Sequence, residues 1–192
     1  MKWNARDLVL AALFAALMAI GANITVLIPP VAGVPLTFQP FFAVIAGLLL
    51  GSRLGPVSMI VYMLIGLAGV PVFAQMLGGI GVTMKQDFGF ILSFIAVAYI
   101  SGKIVETTPS PSMKHFFLAA YAGLFVNYII GTHWMYMALN FWINTPIPYW
   151  TTWTSMVPFF IKDIIFIFIA ALLGERVFYS IYNRQRPAGR SF

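Results

Sequence analysis

The chain alternates between long apolar runs and short segments that hold most of its polar, glycine and proline residues. Apolar runs with few charges favour helices in lipid, since about 20 such residues cross a bilayer core. Six runs are predicted as membrane-spanning helices: residues 8–28, 40–51, 57–72, 88–104, 115–139 and 161–182. At about 1.5 Å per residue the second run is too short to cross unaided. It predicts a partial or tilted crossing supported by its neighbours.

The segments between the runs predict where the chain turns. A double proline, Pro29-Pro30, closes the first run, and residues 52–56 predict a tight polar turn. The glycine-rich residues 73–87 predict an irregular loop. Before the first run, Asn4 followed by Asp7 predicts a helix N-cap with a first-turn carboxylate.

Composition agrees with this pattern. Hydrophobic residues make up 61% of the 192 positions and charged residues 8%, where a soluble domain carries about a quarter charged residues. The predicted fold class is therefore an all-α integral membrane protein in a single domain, and a large soluble domain is excluded. The chain has no cysteine, which excludes structural disulfides, thiolate metal sites and a cysteine nucleophile.

The net charge of +6 follows from topology. With six crossings, nine basic residues fall on the face that holds both termini and two on the opposite face. The nine are Lys2, Arg6, Arg53, Lys103, Lys114, Arg176, Arg184, Arg186 and Arg190, and the two are Lys85 and Lys162. The positive-inside rule then predicts both termini in the cytoplasm of a multi-pass plasma-membrane protein. Nucleic-acid binding is disfavoured, because the basic residues are scattered rather than clustered.

Four charged residues on the outer side are candidates for a ligand site: Lys85, Asp87, Lys162 and Asp163. Charges at membrane depth usually face a partner or a cavity. Lysine can hold a ligand carboxylate, and aspartate can accept from N–H donors. Interfacial ion pairs of little energetic value are the alternative. That alternative stays open for the loop pair, whereas Asp163 at the head of an apolar helix favours binding.

Three further patterns each allow two interpretations. Ala11, Ala15 and Ala19 repeat at four-residue spacing, which suits close docking of another helix or packing within the chain's own bundle. The aromatic residues Tyr149, Trp150 and Trp153 suit a membrane-interface belt or a lid over an apolar ligand. Gly78, Gly79 and Gly81 suit close backbone approach to a ligand or a flexible loop.

Missing motifs limit the chemistry that these residues can perform. The 192 residues contain no Gly-x-x-x-x-Gly-Lys-[Ser/Thr] phosphate loop and no His-Glu-x-x-His zinc motif. His115 and His133 are isolated in the sequence, so packing or interfacial roles are favoured over metal binding. No cofactor is expected, and ATP hydrolysis would belong to partner subunits.

Several stretches resemble the BioY family, the biotin-specific substrate-binding subunits (S components) of energy-coupling-factor (ECF) transporters. They are residues 34–42 (VPLTFQPFF), 46–51 (AGLLLG), 62–74 (YMLIGLAGVPVFA), 128–132 (YIIGT) and 158–163 (PFFIKD). The resemblance implies a six-helix bundle like that of ECF S components, which captures biotin from outside. It also implies docking on a transmembrane coupling protein with two ATPases, with Ala11, Ala15 and Ala19 facing the coupling protein.

The same resemblance implies roles for individual residues. Asp163 matches the acidic residue that binds the polar ureido ring at the start of the last helix. The other matched positions are Asn127 and Tyr128 in the fifth helix and Gln75, Gly78 and Gly79 in the loop over the ligand.

Two departures from the family pattern concern the partner of the ligand carboxylate. Residues 85–90 read KQDFGF where the family commonly has GPTGGF, and Phe166 stands where a lysine would follow Asp163. Lys85 is the expected carboxylate partner, with Lys162 second. Two other functions stay open, namely an S component for another vitamin and a small intramembrane enzyme or scaffold.

Overall fold

The computed structural model describes residues 4–185, with side-chain surroundings up to residue 181. The described part contains six α-helices: α1 Ala5–Asn23, α2 Gln39–Leu67, α3 Phe88–Glu106, α4 Met113–Phe141, α5 Tyr149–Ser155 and α6 Val157–Gln185. Two 3-10 helices, Ala74–Met76 and Ile80–Met84, lie between α2 and α3. Helix α2 packs against α1, α3 and α6, and α4 packs against α3 and α6. The predicted cap of α1 is confirmed, because Asn4 and Asp7 exchange backbone-to-side-chain hydrogen bonds.

Five of the helices in the described part are long and apolar enough to cross a membrane: α1, α2, α3, α4 and α6. Their ends differ from the predicted runs. Helix α1 ends at Asn23 rather than at residue 28. The Asn23 amide nitrogen donates to the carbonyls of Ala19 and Val72, at 3.0 and 3.2 Å. Its side chain thus binds the α1 terminus to the chain that follows α2, and residues 24–38 pass across this end of the bundle without forming a helix.

Helix α2 folds back on itself at Gly51, whose φ of 79° and ψ of 178° are not helical. The side-chain amide of Gln39 donates to the Tyr62 hydroxyl at 2.9 Å, across 23 residues. In a straight helix these residues would stand about 34 Å apart. Residues 39–50 and 52–67 are therefore two antiparallel arms, called here the first and second arms of α2.

The reversal at Gly51 is stabilised by Glu106 at the end of α3. The Ser52 backbone N–H donates to Oε1 of Glu106 at 2.9 Å, and the Ser52 hydroxyl donates to Oε2. A carboxylate at a helix N-terminus satisfies free N–H groups and complements the helix dipole. A Cβ at Gly51 would collide with that carboxylate, so the position needs both the positive φ of glycine and its missing side chain.

This arrangement corrects the polar turn predicted at residues 52–56, which are helical. Pro56 lies inside the second arm, four residues after Ser52, without ending the helix. The chain therefore turns one residue before the predicted segment.

Small residues bring α2 and α3 into close contact. A Cβ on Gly47 would stand 2.5 Å from the carbonyl oxygen of Ala98, and one on Gly102 would stand 2.5 Å from the backbone carbon of Gly51. Backbones this close leave no room for side chains between them. The part of the first arm next to the reversal is thus packed directly against α3.

The alanine stripe of α1 faces the interior of this chain. Ala11 and Ala15 are each 5% exposed, and Ala19 is half-buried. This differs from the expectation that the three face a coupling protein, because side chains buried in their own bundle offer no surface to a partner. The outward side of α1 carries Ala12 and Ala16 instead.

Candidate substrate-binding pocket

A pocket opens at the end of the bundle opposite the Gly51 reversal. Its empty space is about 640 Å³ counting the open mouth. Apolar side chains form much of its wall, including Phe73, Phe90, Ile91, Phe94 and Phe159. The polar groups come from five parts of the chain: Thr37 before α2, Gln39 in the first arm, Lys85 and Asp87 in the loop, Asn127 and Tyr128 in α4, and Lys162 and Asp163 in α6.

Asp163 is the most completely held of the charged groups in the pocket. It is 4% exposed, and its Oδ2 accepts a hydrogen bond from the Tyr128 hydroxyl at 2.8 Å. Its Oδ1 pairs with the Lys162 ammonium, also at 2.8 Å. Because a carboxylate oxygen has two lone pairs, each oxygen can still accept from a ligand N–H. The two fixed partners orient the carboxylate before a ligand arrives.

Lys162 is engaged entirely by protein groups. Besides Asp163, its ammonium donates to the carbonyl of Thr37 and lies 5.7 Å from the ring centroid of Phe38. It therefore joins α6 to the segment that precedes α2. These contacts make Lys162 a weaker candidate for a ligand carboxylate than an uncommitted lysine.

Lys85 is such a lysine. Its ammonium makes no hydrogen bond or ion pair with any described residue, and its side chain lines the pocket. The Lys85 backbone is fixed, because its carbonyl accepts from the indole of Trp134 at 3.1 Å. The indole of Trp142 likewise donates to the Met84 carbonyl at 2.8 Å. Two tryptophans thus hold the loop and leave the charged end of Lys85 available to a ligand.

Asp87 faces the same pocket from the residue before α3. Its Oδ1 is buried without a hydrogen-bond partner among the described residues. Burial raises the pKa of the Asp87 carboxyl above its usual range, and the nearby Lys85 charge opposes that rise. Burial has this effect because an ionised carboxylate loses its hydration here.

Asn127 provides a further polar group beside this cluster. Its carboxamide oxygen lies 2.7 Å from the Ser93 hydroxyl, whose single proton also has the Phe90 carbonyl oxygen as an acceptor at 2.7 Å. The amide nitrogen of Asn127 is a donor that a ligand acceptor could use.

Sequence reasoning missed Ser93 and Gln39, both buried in apolar helices. The side-chain amide of Gln39 donates to Tyr62, whose hydroxyl donates to the Val72 carbonyl at 3.1 Å. A polar residue inside an otherwise apolar run was the available signal for both.

The structure brings six of the ten predicted binding residues to the pocket wall: Lys85, Asp87, Asn127, Tyr128, Lys162 and Asp163. The other four, Gln75, Gly78, Gly79 and Trp150, do not line it. Trp150 is 75% exposed, and Met156, just after α5, reaches the pocket in its place.

The loop residue Gln75 does not line the pocket. It has a left-handed φ of 62°, and the backbone N–H of its neighbour Met76 donates to the Asn23 side chain at 2.7 Å. Within the same loop Ala74 and Leu77 line the pocket. Gln75 thus lies in the loop between two lining residues without lining the pocket itself.

Comparison with known proteins gives this pocket its context. Residues 1–182 match the family described as the BioY family. The chain belongs to the BioY family. A putative biotin transporter BioYB of Bacillus subtilis is 44% identical over 184 residues, covering 95% of this chain and 92% of that protein. A biotin transporter BioY of Thermotoga maritima is 31% identical over 172 residues, covering 90% and 95%.

A solved structure shares the fold of this BioY-family chain. The S component for biotin from an ECF-type ABC transporter has a TM-score of 0.76, with 92% of this chain and 94% of that chain covered. Its sequence identity is 21%, so the likeness concerns the fold alone.

Proposed function

We propose that this chain is a substrate-capture subunit that binds biotin for an ATP-driven vitamin uptake transporter. The observation that carries the proposal is the distribution of polar groups in one apolar pocket. An oriented acceptor, Asp163, lies with Tyr128 and Asn127, and the uncommitted cation Lys85 belongs to a separate loop. Biotin combines a cyclic urea, whose N–H groups need acceptors and whose carbonyl needs a donor, with a carboxylate on an apolar chain.

In this arrangement the urea N–H groups donate to Asp163 and the urea oxygen accepts from the Asn127 amide. The apolar chain packs among the phenylalanines of the wall, and the carboxylate pairs with Lys85. Relatives named as biotin transporters, at 31% identity or more over nine-tenths of the chain, support biotin over another ring-bearing vitamin. They also support a transport subunit over an enzyme or scaffold.

Binding of labelled biotin to the purified full chain tests the proposal. We expect a dissociation constant on the order of nanomolar, lost in Asp163→Ala and strongly weakened in Lys85→Met. Asp7→Asn is the matched control. It removes a carboxylate at the beginning of α1, far from the pocket. Absence of biotin binding by the unmutated chain would refute the proposal. Chemically altered biotin after release, detected by mass spectrometry, would indicate an enzyme instead.

We further propose six crossings, with each arm of α2 counted separately and both termini in the cytoplasm. The contact of Glu106 with Ser52 supports this topology, because it joins the α2 reversal and the end of α3, next to Arg53 and Lys103. Lys85 and Lys162 line the pocket at the other end. The nine-to-two distribution of basic residues then satisfies the positive-inside rule.

The absence of cysteine makes this topology directly measurable. Single cysteines at Ser110 and at Ile80, both exposed, need no background substitutions. In intact cells a membrane-impermeant maleimide should label Ile80→Cys, and should label Ser110→Cys only after permeabilisation. The reverse pattern would overturn the orientation, and equal labelling without permeabilisation would overturn the crossing count.

Coupling to an energising module is part of the same proposal, with a transmembrane coupling protein and two ATPase subunits as partners in the plasma membrane. The outward side of α1, with Ala12, Ala16 and Leu13, is the surface that we assign to the coupling protein. Co-purification with the coupling protein should fall in Ala12→Leu/Ala16→Leu while biotin binding persists. Ala11→Gly, inside the bundle, should leave co-purification intact.

A further inference from the structure

Among the charged groups of the described pocket, Asp87 is the one with neither a hydrogen-bond partner in the protein nor a partner in biotin as proposed above. Asp163 has both oxygens engaged, whereas Oδ1 of Asp87 is buried with none among the described residues. In the family pattern that this chain resembles, residues 85–90 hold no carboxylate. The pocket therefore contains a second acid that needs a physical explanation.

Several titratable side chains surround the Asp87 carboxyl. Lys85 lies on the same loop, Tyr128 on α4, and Lys162 and Asp163 on α6 line the same pocket. The Tyr62 hydroxyl, on the second arm of α2, is uncharged and is hydrogen-bonded to Gln39 and to the Val72 carbonyl. Lys162 is already neutralised by Asp163. Lys85 is thus the only lysine of the described pocket without a hydrogen bond or ion pair, and a ligand carboxylate that it attracts must also approach Asp87.

Two ionised carboxylates at one cation repel each other, and one proton shared between them removes the repulsion. We propose that Asp87 carries a proton in the ligand-bound pocket and donates an O–H hydrogen bond to the ligand carboxylate held by Lys85. The proton comes from solvent when the ligand binds and returns to solvent when it leaves. This inference rests on the proposed function and assigns Asp87 a part in recognising the free carboxylate of the ligand.

The burial of Asp87 agrees with its role as a hydrogen-bond donor to the ligand carboxylate. It raises the pKa of the Asp87 carboxyl, which lowers the cost of protonating that group when a ligand carboxylate binds. A carboxylic acid kept neutral by its surroundings is a hydrogen-bond donor, which an ionised carboxylate is not. A biotin amide has no carboxylate to accept that hydrogen bond and none to pair with Lys85.

Calorimetric titration of the purified full chain with biotin between pH 6 and pH 8.5 tests the proton linkage. Biotin itself stays ionised over this range, since its carboxyl is an ordinary one. We expect affinity to fall with rising pH, by up to tenfold per unit once free Asp87 is ionised. Paired buffers of different ionisation enthalpy should report uptake of up to one proton.

Substitutions separate Asp87 from the other titrating groups. Asp87→Asn should remove the pH dependence and the proton uptake, whereas Asp87→Glu, which keeps a carboxyl, should retain both with a shifted midpoint. Asp7→Asn is the control for loss of a carboxylate outside the pocket and should leave the profile in place. Thermal unfolding of each purified variant checks that it is folded.

Three results would overturn the inference. They are a flat affinity profile in the unmutated chain, a profile unchanged in Asp87→Asn, and tighter binding of biotin amide than of biotin, with that preference lost in Asp87→Asn. The last result would mean that Asp87 accepts from a ligand N–H as a carboxylate. Failure of the unmutated chain to bind biotin at any pH would refute the proposed function rather than the role of Asp87.

Discussion

The hydroxyl of Tyr128 donates to Oδ2 of Asp163 at 2.8 Å, which joins α4 and α6 inside the pocket. Tyr128→Phe removes this hydrogen bond and keeps the ring, which contacts Phe160 edge-on at 5.2 Å between centroids. We expect biotin affinity to fall about tenfold, or about 1.4 kcal/mol, because the carboxylate loses one of its two fixed partners. Equilibrium binding measures this, and an unchanged affinity would show that the hydroxyl does not orient Asp163 for the ligand.

The two lysines of the pocket should differ in their effect on the unfolding temperature when each is changed to methionine. Lys162→Met leaves Asp163 buried without its cation, so both the unfolding temperature and the biotin affinity should fall. Lys85→Met removes an ammonium that binds no described residue, so affinity should fall while the unfolding temperature stays close to that of the unmutated chain. Thermal unfolding and biotin binding of the same preparations provide the comparison. Equal loss of unfolding temperature in both variants would contradict the different roles of the two lysines.

Gly51→Ala should strongly destabilise the reversal of α2. The new Cβ meets the Glu106 carboxylate, and the alanine must adopt a φ of 79°. We therefore expect the unfolding free energy to fall by about 1–3 kcal/mol. Gly69→Ala is the matched control, since Gly69 has a φ of 105° with no atom near its added Cβ. Chemical denaturation of the purified variants compares the two. If Gly51→Ala costs no more than Gly69→Ala, the collision with Glu106 contributes nothing.

Asp87 should make the ligand-free chain less stable as the pH rises. Its pKa is raised in the folded chain by burial, while the unfolded chain titrates near the ordinary value of about 3.9. No stability is lost below that ordinary value. Stability falls as the pH rises towards the raised value, because only the unfolded chain has then released the proton.

Asp87→Asn removes the loss of stability that the ligand-free chain shows as the pH rises. It should therefore raise the unfolding temperature relative to the unmutated chain at pH 8 and not at pH 4, as measured by thermal unfolding without biotin. A stabilisation of equal size at both pH values would mean that ionisation of Asp87 is not its cause.

Local chemistry explains what the sequence could and could not predict. Asp163 and Lys85 stand out because charges are rare in this chain, and both line the pocket. Gln39 and Ser93 were missed because their roles depend on Tyr62 and Asn127, which lie far away in the sequence. The direction of the alanine stripe was ambiguous, since four-residue spacing defines one side of a helix without saying what covers it.

The reversal of α2 was predicted as a feature and misplaced by one residue. Gly55 and Pro56 suggest a turn locally, but the position of the break is decided by Glu106, more than fifty residues away in the sequence. Local turn preferences contain no information about such a partner.

Asn23 has a mechanical consequence for the pocket. Its side chain hydrogen-bonds α1, the Val72 carbonyl and the Met76 amide at once, and both loop residues adjoin Phe73 or Leu77 in the pocket wall. Any displacement of the end of α1 relative to that wall must therefore break a hydrogen bond of Asn23.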